Sequence, residues 1–183
     1  MAIERWNVDA VHSGVGFVVR HMVISRVRGR FTDWSGSIRM DEADPGASSV
    51  EVTIRSASID THEPQRDGHL RSADFLDAER YPEIVFRSTK VETSGMQGLR
   101  ITGDLTLHGV TRAVTLEGER LGRAMDPWGG ERSGFSARTS IDRRDYGLTW
   151  NQALETGGLL VGEKVDIELE VEAVRVQEAA AAA

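Results

Sequence analysis

In run after run of this chain, apolar residues fall at every second position, and that alternation commits most of it to half-buried β-strands. Val50, Val52 and Ile54 alternate with Glu51, Thr53 and Arg55. Leu99, Ile101, Gly103, Leu105 and Leu107 alternate with Arg100, Thr102, Asp104, Thr106 and His108, and Val165, Ile167, Leu169 and Val171 with Asp166, Glu168, Glu170 and Glu172. Successive strand side chains point to opposite faces, so each run has one greasy side and one wet side. The same period marks residues 6–10, 14–21, 26–33, 34–40, 84–92, 114–118 and 135–141. These ten runs, some of them adjoining, are read as about eight strands, mostly antiparallel with short connections. Turn chemistry separates them: Pro45 and Gly46 within residues 41–48, the glycines of 94–98, Gly109, and Asp126 to Gly130. Residues 22–25 suit a single helical turn, residues 142–160 a long loop at one rim, and 176–183 a frayed tail after a single domain over 1–175.

One stretch, residues 61–86, breaks the alternation. Leu70, Ala73 and Leu76 recur at spacings of three with Phe75 beside them, the pattern of a short helical insert over about residues 66–80 with one apolar face. Asp67 and Ser72 have the side chains of N-caps, and Asp74 suits the positive end of a helix dipole. Pro82 stops the helix and biases Tyr81 toward extended geometry, so a strand resumes at Glu83. A helical segment with one greasy face, set between strands, most simply plugs or lids the end of a barrel or sandwich.

A closed barrel and a two-sheet sandwich both accommodate one apolar face per strand. The long strands and the plug-like insert favour the barrel. At eight strands its interior either fills with side chains or holds one small ligand. Few aromatics point inward, and Gly103 and Gly118 remove bulk there, which leans toward a hollow interior; periodicity alone leaves the packed interior equally open. A hollow tube would take an apolar, elongated occupant, because the inward faces carry almost no carboxylates or amides.

The remaining features exclude more than they assign. The chain has no cysteine, so disulfides and thiolate metal sites are out. A formal charge of −7 disfavours nonspecific nucleic-acid binding and anionic membranes. No run approaches the roughly 20 apolar residues of a spanning helix, and residues 1–10 lack the pattern of a secretory signal, so a cytoplasmic protein is expected. No G-x-S-x-G elbow, phosphate-binding loop or metal-ligand histidine spacing occurs, and the acidic residues fall on outward faces; no catalytic residue, metal or cofactor is assigned. Of five histidines, His12 and His108 sit beside bends and suit turn hydrogen bonds, and His62 lies in a polar loop. His21 closes an apolar face, and His69 lies near Asp67 and Arg66, where a structural network among the three and a place at a tunnel mouth are both open. A protein using His21 and His69 as an acid–base pair or haem ligands is the alternative from another class. A packed barrel with an acidic partner-binding surface is a third.

Over residues 6–171 the chain resembles the YceI-like family of lipid-binding proteins. The resemblance rests on five colinear motifs: WNVDAVHSGVGFVVRHM, VRGRFTDWSGSI, RDGHLRSADFLDAERYPEIVF, ITGDLTLHGVTRAVTL and GGLLVGEKVDIELEVE. It implies an all-β, extended, eight-stranded antiparallel lipocalin-like barrel with a long internal tunnel. It also implies a long-chain isoprenoid or fatty amphiphile as occupant, and a homodimer. Combined with the strand phases, the expected wall is Phe17, Val19, Val52, Ile54, Phe86, Leu105, Leu107, Phe135 and Ile167. Leu70 and Phe75 would close one end, and His21, Arg66 and His69 would meet the headgroup. Neither nucleic acid nor membrane insertion is expected.

Overall fold

Every alternating run is a strand in the computed structural model, which describes residues 3–177. The strands are β1 (Glu4–Val8), β2 (Gly14–His21), β3 (Ser25–Phe31), β4 (Trp34–Met40), β5 (Ser49–Arg55), β6 (Ile59–Asp60), β7 (Glu83–Ser94), β8 (Gly98–Leu107), β9 (Val110–Met125), β10 (Glu131–Asp142) and β11 (Val161–Arg175). Six of them combine into three broken staves. β1 and β2 both lie along β11, at Val8↔Ala173 and Val15↔Leu169; β4 and β3 then follow β1 and β2, and β5 and β6 follow β4 and β3. Continuing through β7, β8, β9 and β10 back to β11, the ring is an eight-stranded antiparallel barrel with one short helix. Closure pairs strands that an open sheet would leave as edges. Between β9 and β10 the ladder stops at Glu117↔Arg138. Beyond that point Thr139 Oγ1 donates to Thr115 O (2.8 Å) and Arg112 Nε to Asp145 O (2.7 Å), pinning the seam.

This meander sorts the connections into two ends. The termini end holds residues 41–48, 95–97 and 126–130; the insert end holds 22–24, 61–82, 108–109 and 143–160. At the termini end Trp6, Met40 and Ala173 are buried together with Phe135 and Ile38 against them. The Arg123 guanidinium lies 5.0 Å over the Trp6 ring and pairs with Glu4 (2.8 Å) and Glu131 (3.2 Å), so a belt of charge seals that plug. Val110 follows His108 and Gly109, whose φ values of +54° and +73° make the tight turn that a two-residue hairpin needs.

The insert differs from its expectation. The helix α1 is Pro64–Arg71, not 66–80. Its N-cap is Glu63, which accepts from Gln65 N (3.2 Å) and Arg66 N (2.6 Å) ahead of Pro64. Asp67 is no cap: it is buried and accepts from Thr61 N (2.9 Å) and Thr61 Oγ1. Ser72 ends the helix instead of starting a second one, its N–H and hydroxyl both donating to His69 O. Turns then fill the span to Pro82, with Asp77 at φ +46°, and β7 resumes at Glu83 as expected. Residues 22–24 are likewise a turn and not a helical one, with positive φ at Met22 and Val23. Of the expected tail, residues 178–183 lie outside the described residues.

Where the first stave breaks, Asp9 lies 2.9 Å from His12 Nδ1 and 2.8 Å from Arg132. Arg132 also pairs with Asp126 and Glu172, joining the break, the 126–130 turn and β11. Asp9, His12 and Glu172 converge closely enough for a cation, but the Arg132 guanidinium bridges both carboxylates and takes that place. Bonds from His12 and then Arg132 hold the Asp9 carboxyl down from 3.8 to about 2. A depressed folded-state pKa gives stability that is complete above 3.8 and drains away as pH falls through about 2. Asp9→Asn is therefore expected to shrink the loss of thermal stability over that window, and an acid titration superimposable on the parent's would remove Asp9 from the account.

Candidate binding tunnel

The inward faces of the staves do not meet. They enclose a cavity of about 680 Å³, within the 300–1,000 Å³ range usual for sites that bury a small molecule. Its wall runs from Thr61, Arg66 and His69 at the insert end to Met40, Glu42 and Arg120 at the termini end, so it is a tunnel along the barrel. The period of two explains its chemistry: one side of each strand supplies Val, Ile, Leu and Phe, while the charged partners face water. Ile59, Leu76, Ile84, Phe86, Leu105, Leu107, Leu116, Tyr146 and Leu148 form its packed surround.

Every residue expected in the wall lines this cavity: Phe17, Val19, Val52, Ile54, Phe86, Leu105, Leu107, Phe135 and Ile167. So do Leu70 and Phe75, and so do His21, Arg66 and His69. The glycines contribute differently from expectation. A Cβ at Gly103 would come 2.6 Å from Phe86 Cζ, and one at Gly118 would come 2.2 Å from Ser136 O. Gly103 makes room for the Phe86 ring and Gly118 for the neighbouring strand, and Gly118 also lines the cavity.

Polarity along the wall is lopsided. Among the described residues the lining carboxylates are Asp41 and Glu42, both at the termini end, where Arg120 also lines the wall and pairs with Glu42 (3.1 Å); the insert end presents Arg20, His21, Arg66, His69 and Arg143 with no lining carboxylate among the described residues. Arg66 donates to Thr61 Oγ1 (2.7 Å) and Thr61 O (2.8 Å), and the same Thr61 hydroxyl serves buried Asp67. The expected network among Asp67, Arg66 and His69 thus exists without His69. That ring lies 2.8 Å from Asp74 and makes edge contacts with Phe75 and Trp150, at 5.0 and 4.7 Å between centroids. No hydrogen bond joins His21 to His69 among the described residues; His69 is held by Asp74 instead.

Residues 143–160, which sequence alone placed only as a rim loop, build much of this end. Asp142 caps a short 3₁₀ turn, Arg143–Tyr146, by accepting from Arg144 N (2.9 Å). Arg143 is 4% exposed and donates to the carbonyls of Gly162 (2.8 Å), Leu148 (2.6 Å), Trp150 (2.9 Å) and Val161 (3.3 Å). Burial pulls its pKa down against the opposing charges of Glu163 and Asp142. His108 Nδ1, 3.0 Å from Tyr146 O, ties the segment to the β8–β9 turn, which is a wider role than a local turn bond. The apolar spacing of Tyr146, Leu148 and Trp150 was the available signal that this loop faces inward.

A family model described as the YceI-like domain matches residues 6–173. The protein YceI of Escherichia coli is 43% identical over 167 residues, covering 91% of this chain and 84% of that protein. A YceI protein of Campylobacter jejuni has a crystal structure that superimposes with a TM-score of 0.74 at 33% identity, over 86% of this chain and 90% of that one. A domain from Saccharophagus degradans described as polyisoprenoid binding and implicated in plant cell wall breakdown shares the fold, at TM-score 0.67 and 17% identity over 93% and 98% of the two chains.

Proposed function

This chain belongs to the YceI-like domain family, and on that premise we propose that it binds, stores or carries a long-chain isoprenoid or other amphiphilic lipid without chemically altering it. The observation that carries this reading is the apolar cavity that extends along the barrel, about 680 Å³ in volume. At about 0.8 kcal/mol per buried CH₂, a chain of roughly a dozen carbons gains about 10 kcal/mol before ordering costs. The polyisoprenoid-binding description of a protein with the same fold supports the choice of lipid class. The cationic set at the insert end, with no lining carboxylate beside it among the described residues, sets the polarity: an acidic headgroup rests near His21, Arg66 and His69, with its tail toward Phe135. Homodimerisation and a cytoplasmic place belong to the same proposal, the first checked by sedimentation equilibrium and the second by cell fractionation.

Organic extraction of the purified protein followed by mass spectrometry tests the central point. The expected result is a colourless protein releasing a long-chain lipid at up to one per barrel. A visible absorption band from a bound chromophore, with no extractable lipid, would transfer the tunnel to the haem-type alternative.

A further inference from the structure

The hairpin joining β2 to β3 breaks two rules of a solvent-facing turn. Its tip is Met22, Val23 and Ile24, which are 40, 64 and 84% exposed, and Leu159 stands close by at 41%. Met22 and Val23 also hold φ values of +52° and +66°. Glycine or asparagine adopts that conformation cheaply, and a β-branched residue only at a cost. Beneath the tip, Arg20 and Arg26 sit opposite each other in register, a like-charge pair that weakens a sheet. Neither forms an ion pair among the described residues; Asp166, which feels the charge of Arg26, is itself held by Ser140 and Lys164.

The hairpin stands at the tunnel mouth. Arg20 and His21 line the cavity, and Met22 N donates to the carbonyl of Leu160, another wall residue (2.9 Å). We propose that this tip docks the insert end of the barrel onto a lipid bilayer bearing anionic headgroups. Val23 and Ile24 enter the headgroup–acyl boundary, Arg20 and Arg26 meet lipid phosphates, and the mouth faces the membrane. The proposal rests on the carrier reading and adds where the lipid is exchanged. A second copy of the chain is the other occupant for such a patch. A few side chains on one hairpin tip fall far short of the roughly 800 Å² per partner of a stable interface. Shallow insertion of a few apolar side chains beside cations is instead enough for reversible adsorption to a bilayer. The formal charge of −7 opposes adsorption through the rest of the surface, so the tip also sets the orientation.

Co-sedimentation of the full chain with phosphatidylcholine vesicles, with and without phosphatidylglycerol, tests this. Binding is expected to rise with phosphatidylglycerol, and to fall at least about tenfold when Val23→Ser and Ile24→Ser are combined. Arg20→Gln with Arg26→Gln should cancel the gain from phosphatidylglycerol. Val11→Ser should change nothing, because Val11 is 87% exposed but lies at the break of the first stave, away from the mouth. The chain has no cysteine, so Ile24→Cys and Val11→Cys can each carry one polarity-sensitive dye, and only the dye at position 24 should shift to the blue on vesicles. Equal vesicle binding by the parent and the double tip variant overturns the proposal. So does an equal shift at both dye positions, or a tip variant that loses self-association while keeping vesicle binding. Lipid content, measured separately by extraction, keeps the two readings apart: an empty parent that still binds vesicles through the tip counts against the carrier reading alone.

Discussion

Replacing Leu105 with glutamate is expected to abolish lipid retention while leaving the barrel folded. Leu105 is buried among Phe86, Leu107 and Leu116 and lines the tunnel near the insert end of β8. With the tunnel empty, water can enter beside the new carboxylate and hydrate it. With a tail in place that water is expelled, and stripping an ion of hydration costs several kcal/mol even after relaxation. Each 1.4 kcal/mol is tenfold, so affinity should fall by about a thousandfold at neutral pH. Burial beside a tail raises a carboxyl pKa, so retention should partly return as the medium is acidified and the side chain becomes neutral. Ala137→Trp attacks the same tunnel by bulk instead of charge, since Ala137 is a small wall residue facing free volume. It should lower lipid content without the pH response. A folded Leu105→Glu protein that carries as much lipid as the parent would remove the tunnel wall from the binding account.

Arg143→Met is expected to be strongly destabilising, by about 3–5 kcal/mol, because several buried acceptors lose a donor at about 1–3 kcal/mol each. The side chain is nearly inaccessible and satisfies four backbone carbonyls drawn from 148, 150, 161 and 162. Its loss takes a donor from each of those carbonyls, of which Val161 O keeps Asn151 Nδ2 (2.7 Å), and frees the segment that closes the insert end. For a chain of this length each kcal/mol moves the midpoint by roughly 2–4 °C, so the melt should shift down by about 10 °C. Arg143→Lys should not rescue it, because an ammonium lacks the planar fork that reaches carbonyls on both sides of the loop. Hydrogen exchange should accelerate first at residues 147–162. A melting temperature within a degree or so of the parent's would show that the loop is held by its apolar contacts alone.

These two residues also mark how far the chain could be read without coordinates. Leu105 was legible because strand geometry is local: period-two alternation tells which side chains share a face, and closing the ring makes that face the inside. The same logic located Phe17, Val52, Phe86 and Ile167 on the wall. It did not reach Arg143, a cation whose partners are carbonyls up to 19 positions away, because nothing in the residue types announces a bond to backbone. The helix was misjudged for a related reason. Glu63 capping and Ser72 termination depend on backbone path, and Asp67 was drawn inside by Thr61 and Arg66 instead of standing at a helix start.

Alternation and turn chemistry by themselves therefore determined about eight mostly antiparallel strands, each with one apolar face, and a helical insert between them; they favoured a closed barrel over a sandwich, and the resemblance to the family supplied the eight-stranded barrel. Whether that interior was filled or empty was decided only in three dimensions. Packing depends on how rings such as Phe86 lie over Gly103 and how far the staves stand apart, and side-chain identity along one strand does not specify either distance.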